Sequence, residues 1–255
     1  RQADRLIANT DHAAYQLRKY YGACENRIST IPPGVDLEVF TPGDRRAALR
    51  RIGLPEKGEL LLFVGRVQRL KAPDVLIRAA AELLERDPSL RSRLVVGVVG
   101  GLSGGGLHEP GMLTDLARSL GVADVVRLEP PQSRERLADH YRAATATVVP
   151  SYSESFGLVA VESQACGTPV VAARVGGLST AVNDSVSGIL VEGHNPVDYA
   201  TELHRLIAEP SWRAKLAQEA PRHAETLSWS RTVDELLTVY SESITPRPLA
   251  LAACR

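Results

Sequence analysis

The sequence predicts an α/β fold built on a doubly wound parallel sheet. Three observations predict it. From about residue 60, short runs rich in β-branched residues alternate with amphipathic helical stretches. Most of these strand-like runs are apolar on both faces, which implies a sheet covered by helices on both sides. The composition of the 255 residues, 44% hydrophobic and 24% charged, is that of an ordinary globular chain. In such a sheet, ligands bind beyond the carboxyl ends of the strands.

Residues 5–8 read as a strand, 11–20 as a helix capped by Thr10 or Asp11, and 27–31 as a second strand before Pro32-Pro33-Gly34. Residues 37–43, with turn-forming Thr41-Pro42-Gly43, read as a linker. Residues 1–43 are therefore expected to be the end of a preceding domain and its linker. Arg1 without an initiator Met reads as the start of a fragment. Residues 44–228 are expected to form the sheet domain, with buried strands at 60–64, 94–99, 125–128, 147–149, 169–172 and 189–191. Between them, helices are expected at 73–85, 134–144 and 197–208. In the first of these, Val75, Leu76, Ala79, Ala80, Leu83 and Leu84 share one side. A last helix is expected at 229–244 and a disordered tail at 245–255. Trp212 and Trp229 are expected to pack the end of the sheet.

Charge excludes some classes of function. Thirty basic and thirty acidic residues leave no net charge, so no global field holds nucleic acid or an anionic membrane. No run reaches the roughly eighteen apolar residues of a membrane span. Cys24, Cys166 and Cys254 form no C-x-x-C, which suits a reducing cytoplasm rather than a disulfide framework. The six histidines show no metal-ligand spacing, and Cys166 reads as a small buried residue. Neither G-x-G-x-x-G nor a P-loop occurs, which argues against nicotinamide enzymes and P-loop nucleotidases. Gly101-Leu102-Ser103-Gly104-Gly105 matches G-x-S-x-G, but further glycines follow where a hydrolase elbow would enter a helix. It reads as a loose loop, and so does its neighbour His108.

Two constellations carry chemistry. The first is Glu154-Ser155-Phe156-Gly157-Leu158-Val159-Ala160-Val161-Glu162, which follows the strand ending Val148-Val149-Pro150. Glu154 falls on a strand-to-helix loop at the ligand edge. The free N–H groups from Phe156 to Val159 suit a diphosphate oxygen, and Gly157 permits close approach. Glu162 lies eight residues on, about 12 Å along a helix axis, so two carboxylates can contact two ends of one extended ligand. Taken alone, the pattern equally suits an acid-favoured helix N-terminus with a solvated glutamate. The second constellation is Arg66 and Lys71, which follow the strand Leu61-Leu62-Phe63-Val64. No D-x-D occurs, so a departing diphosphate needs cationic side chains, and these two are placed to supply them.

Together with Gly167-Thr168-Pro169-Val170-Val171-Ala172 and Gly176-Gly177-Leu178, these motifs resemble the donor-binding half of retaining, two-Rossmann-domain (GT-B) glycosyltransferases. The resemblance covers about residues 60–195. Residues 70–76, 130–133, 141–144 and 151–157 resemble the branch that transfers N-acetylglucosamine from UDP-GlcNAc to 1D-myo-inositol 3-phosphate, the first step of mycothiol biosynthesis. The resemblance implies that Arg66 and Lys71 hold the UDP diphosphate. It implies that Glu154 contacts the sugar hydroxyls, Glu162 the ribose, and Gln132 the uracil-containing donor. It places Phe156, Gly157 and Leu158 against the donor as well. It also implies a structural magnesium near Tyr141, Arg142, Ala144 and Thr168, with no cofactor required for leaving-group activation. Thr145 stands where relatives commonly carry Asp. A homodimer would follow from the same resemblance, and a cytoplasmic location from the cysteine pattern. Two other readings share these motifs: a GDP-mannose-dependent phosphatidylinositol mannosyltransferase, and a UDP-binding fragment inactive without its N-terminal domain.

Overall fold

In chain order, the computed structural model has β1 (Leu6–Ala8), α1 (Asp11–Tyr21), β2 (Ile28–Thr30), α2 (Arg45–Arg51), β3 (Glu59–Val64) and α3 (Pro73–Arg86). There follow β4 (Leu94–Val99), α4 (Met112–Ser119), β5 (Val126–Glu129), α5 (Arg134–Ala143), β6 (Ala146–Val149) and α6 (Leu158–Ala165). The chain ends with β7 (Val170–Ala173), α7 (Leu178–Ala181), β8 (Gly188–Val191), α8 (Pro196–Ala208), α9 (Pro210–Glu225) and α10 (Trp229–Ile244). The structure describes residues 3–101 and 111–244. The tail at 245–255, His108, and Ser103 with the glycines at 104–106 lie outside the described residues.

Six parallel strands form the main sheet in the order β5-β4-β3-β6-β7-β8. Successive side chains of β3 point to opposite faces and feed two separate cores. Leu61 and Phe63 pack with residues of α3, α4 and α8, whereas Leu60 and Leu62 pack with residues of α5 and α6. A strand apolar at every position is what this arrangement demands. From β3 the chain winds outward one way through β4 and β5, then returns to add β6, β7 and β8 on the other side. The switch point lies between β3 and β6, and the loops leaving their carboxyl ends diverge to open a crevice.

The chain before residue 44 builds a second, two-stranded parallel sheet from β1 and β2. Thr10, not Asp11, caps α1 by accepting from the Ala13 N–H at 3.2 Å. Helix α10 returns to this part of the chain. The Thr232 hydroxyl donates to the Pro32 carbonyl at 2.8 Å, and Arg5 pairs with Glu242. Gly34 allows the approach: a Cβ there would lie 2.2 Å from the Trp229 backbone nitrogen.

Two features differ from the sequence reading. Trp229 is half exposed, because its backbone, not its ring, meets Gly34. Trp212 does pack on the core, with the Arg205 guanidinium over its ring at 3.8 Å. The segment read as a linker carries Phe40 into the core, edge-on to Tyr141 at 5.9 Å. Among the described residues, no helix is long and apolar enough to cross a membrane.

Candidate functional site

The crevice gathers residues from the tips of β3 and β6. After β3 the chain passes Gly65 and Arg66 into a short 3-10 turn, Arg69–Lys71, that delivers Lys71. After β6, the loop from Pro150 to Gly157 delivers Glu154. Lys71 Nζ and a Glu154 carboxylate oxygen form an ion pair with both side chains largely buried. The Tyr152 N–H donates to the Leu70 carbonyl at 2.9 Å and ties the two loops together. From behind, the Gly177 N–H donates to the Glu154 carbonyl at 2.9 Å. Arg66 is exposed at the same rim and makes no ion pair among the described residues.

Gly157 adopts φ +106, a conformation that L side chains rarely adopt, and caps α6. The Ala160 N–H bonds back to the Gly157 carbonyl at 2.9 Å. The N–H groups of Phe156, Leu158 and Val159 have no acceptor among the described residues, so amides at this helix start are available to an anion. The Phe156 side chain is buried and anchors the loop.

Glu162 lies on α6 and accepts a hydrogen bond from the Tyr141 hydroxyl at 2.9 Å. Burial raises the carboxyl above its ordinary range, against the opposing effect of that bond. Burial, with Glu162 beside it, also pushes the Tyr141 phenol well up, so it stays a donor. The sequence reading placed Tyr141 only near a magnesium and missed this bond, since the residues belong to different helices. Gln132 sits after β5, and its side-chain amide donates to the Pro130 carbonyl at 2.9 Å.

The residues assigned to magnesium lie at the other end of the sheet, before β6 and β7. The Thr168 hydroxyl donates to the Tyr141 carbonyl at 2.6 Å, and the Ala144 N–H donates to that carbonyl at 3.0 Å. Arg142, Ala144 and Thr168 line a cavity of about 320 Å³. The converging hydroxyl and carbonyl are neutral, hard oxygen donors of the type magnesium takes. In this structure the two oxygens are paired with each other, the cavity beside them is lined by Arg45, Arg142 and Arg213, and no group of three or more His, Cys, Asp or Glu among the described residues is arranged to hold a metal ion. Thr145 belongs to a different network: it donates to Glu59 at 2.6 Å and accepts from Arg45 at 3.0 Å. Cys166, close by, is buried, and its thiol is pushed up to about 12.

The sequence model of the family described as glycosyl transferases group 1 matches residues 44–223 of this chain. The chain belongs to that family. A second model, glycosyltransferase family 4, matches residues 1–39. Among curated relatives of this group 1 chain, D-inositol 3-phosphate glycosyltransferase of Nocardiopsis dassonvillei is 81% identical over 255 residues, covering 100% of this chain and 59% of the relative. The protein of the same name from Thermobifida fusca is 67% identical over 242 residues, covering 95% and 56%. The chain thus spans a little under three fifths of the length of these relatives. Among solved structures, sucrose-phosphate synthase from Thermosynechococcus elongatus superposes with a TM-score of 0.83 at 30% identity, covering 94% of this chain and 58% of that one. A glycosyltransferase from Rickettsia africae matches with a TM-score of 0.84 at 20% identity, covering 96% and 64%, a likeness of fold. The GT-B half-domain expected from the sequence is the architecture found.

Proposed function

We propose that the crevice between β3 and β6 binds a nucleoside diphosphate sugar. On this reading, the chain is the donor-binding part of a retaining enzyme that moves N-acetylglucosamine from UDP-GlcNAc to 1D-myo-inositol 3-phosphate. The observation that supports the donor site is the Lys71–Glu154 pair, which joins the loops after β3 and β6 just ahead of the free amides at the start of α6. The acceptor rests on the 81% identity to the Nocardiopsis relative and on its name.

In this reading the sugar's anomeric carbon leaves the diphosphate oxygen through an oxocarbenium-like state, and negative charge grows on the departing phosphate. Arg66, Lys71 and the amides of Phe156, Leu158 and Val159 stabilise that charge. A bound diphosphate competes with Glu154 for Lys71, and the released carboxylate is then free to accept from the sugar hydroxyls. Glu162 accepts from the ribose, and Gln132 faces the uracil. The acceptor hydroxyl attacks on the face the diphosphate leaves, and its proton passes to the leaving phosphate oxygen. A structural magnesium at the opposite end of β6 would have to part the Tyr141 carbonyl from the Thr168 hydroxyl.

A thermal-shift panel tests the donor. UDP-GlcNAc at a hundredfold excess over its Kd stabilises the native chain by about 2.7 kcal/mol, whereas GDP-mannose leaves the melting temperature unchanged. The reverse ranking would make the donor a guanosine sugar. For the 255-residue chain alone, binding of UDP without measurable transfer is expected.

A further inference from the structure

The loop that carries Glu154 is held from a third side by a residue far from β3 and β6. Beyond β8 the chain turns at Gly193 and presents His194 back over the sheet to the β6 loop. The His194 Nε2–H donates to the Ser151 carbonyl at 3.1 Å, three residues before Glu154. The ring of His194 stacks on Tyr152, with centroids 4.1 Å apart and planes at 27°. The turn is itself fixed by the Tyr199 hydroxyl, which donates to the Gly193 carbonyl at 3.3 Å. Tyr199 is buried, so this anchor belongs to the core. Tyr152 in turn donates its N–H to Leu70, beside Lys71. One continuous chain of contacts therefore runs from the core through Tyr199, His194 and Tyr152 to both members of the Lys71–Glu154 pair.

We infer that His194 and Tyr152 are positioning residues that set where the Glu154 carboxylate stands for the sugar of the donor. The inference rests on the donor-site reading above and extends it. A hydrogen bond and a ring stack on one loop fix its height and its tilt separately. A loop released by about an ångström misplaces Glu154 without removing a charge from the diphosphate rim. Loss of the clamp should therefore be felt chiefly by the sugar, since the Arg66 and Lys71 charges remain at the rim.

Isothermal titration of the 255-residue chain with UDP-GlcNAc and with UDP separates these effects. His194→Ala is expected to weaken UDP-GlcNAc about tenfold and UDP by less than about twofold. His194→Gln, whose side-chain amide can still donate to Ser151, should recover most of that loss. His194→Phe keeps the stack alone and should fall between. Equal weakening of both ligands by His194→Ala would make the clamp a general support of the rim and overturn the proposal; so would unchanged affinity for both. If the wild-type chain bound neither ligand, the donor-site reading would fall first and this proposal with it. A normal wild type beside an unaffected variant removes the proposal alone.

Discussion

Lys71 and Glu154, 83 residues apart in sequence, form an ion pair across the crevice at the switch point of the sheet. Each is the other's counter-charge in a largely buried setting, so neither is free for a ligand until the other is satisfied elsewhere. Glu154→Gln should therefore release Lys71. The expected outcome is a gain in UDP affinity of about 1 kcal/mol, near fivefold, alongside a loss in UDP-GlcNAc affinity. Titration calorimetry reads both, and unchanged UDP affinity would mean that Lys71 does not reach the diphosphate. In the full-length enzyme, Lys71→Ala should lower kcat far more than donor affinity, because its charge is needed most as the bond breaks.

Arg66 differs from Lys71 in having no ion-pair partner among the described residues. Its removal costs the fold nothing that the structure shows. Arg66→Ala should leave the melting curve within about 0.5 kcal/mol of wild type and weaken UDP at least tenfold. Lys at this position should recover only part of the binding, since it lacks the planar fork. Fluorescence melting beside titration of UDP checks both halves.

Glu162 gives a pH signature. Its carboxyl is raised by burial above the ordinary value of 4.5, so the folded chain binds that proton more tightly than the unfolded chain does. The stability this provides is complete below about 4.5 and is lost as pH rises through the raised value. Glu162→Gln should flatten that part of the curve relative to wild type. Tyr141→Phe removes the hydroxyl donor, with a cost of about 1.5–3 kcal/mol at neutral pH, and steepens the same decline. Chemical denaturation between pH 4 and 8 measures all three proteins.

Gly34 tests how α10 is seated. A methyl group there meets the Trp229 backbone, which cannot swing away as a side-chain tip could. Gly34→Ala should destabilise the chain by about 2–3 kcal/mol, whereas Trp229→Ala, which removes a half-exposed ring, should cost less than about 1 kcal/mol. Thermal melts of the two variants give the ranking, and the opposite order would refute the seating described.

Much of this was legible in the sequence for a simple reason. A strand such as Leu60-Leu61-Leu62-Phe63 is apolar on both faces only if helices cover both, and that pattern is visible without coordinates. Lys71 and Glu154 were legible as residues following strands, but their pairing was not, because it depends on which strands are neighbours. The Tyr141–Glu162 bond and the His194 clamp were hidden for the same reason: each joins residues whose sequence neighbourhoods carry no common motif. Helix α2 escaped notice because only Ala48 and Leu49 of its seven residues are buried, too little for a period to show. Helix α9 was legible only as a helical stretch around Trp212, because Pro221 inside it argues against a continuous helix.

A crystal of the 255-residue chain soaked with UDP tests the donor crevice most directly. Diphosphate density should fill the β3–β6 crevice, with Arg66 and Lys71 turned onto its oxygens, the amides at the start of α6 facing it, and Glu154 parted from Lys71. Density elsewhere on the chain, or an intact Lys71–Glu154 pair beside an empty crevice at saturating UDP, would contradict it.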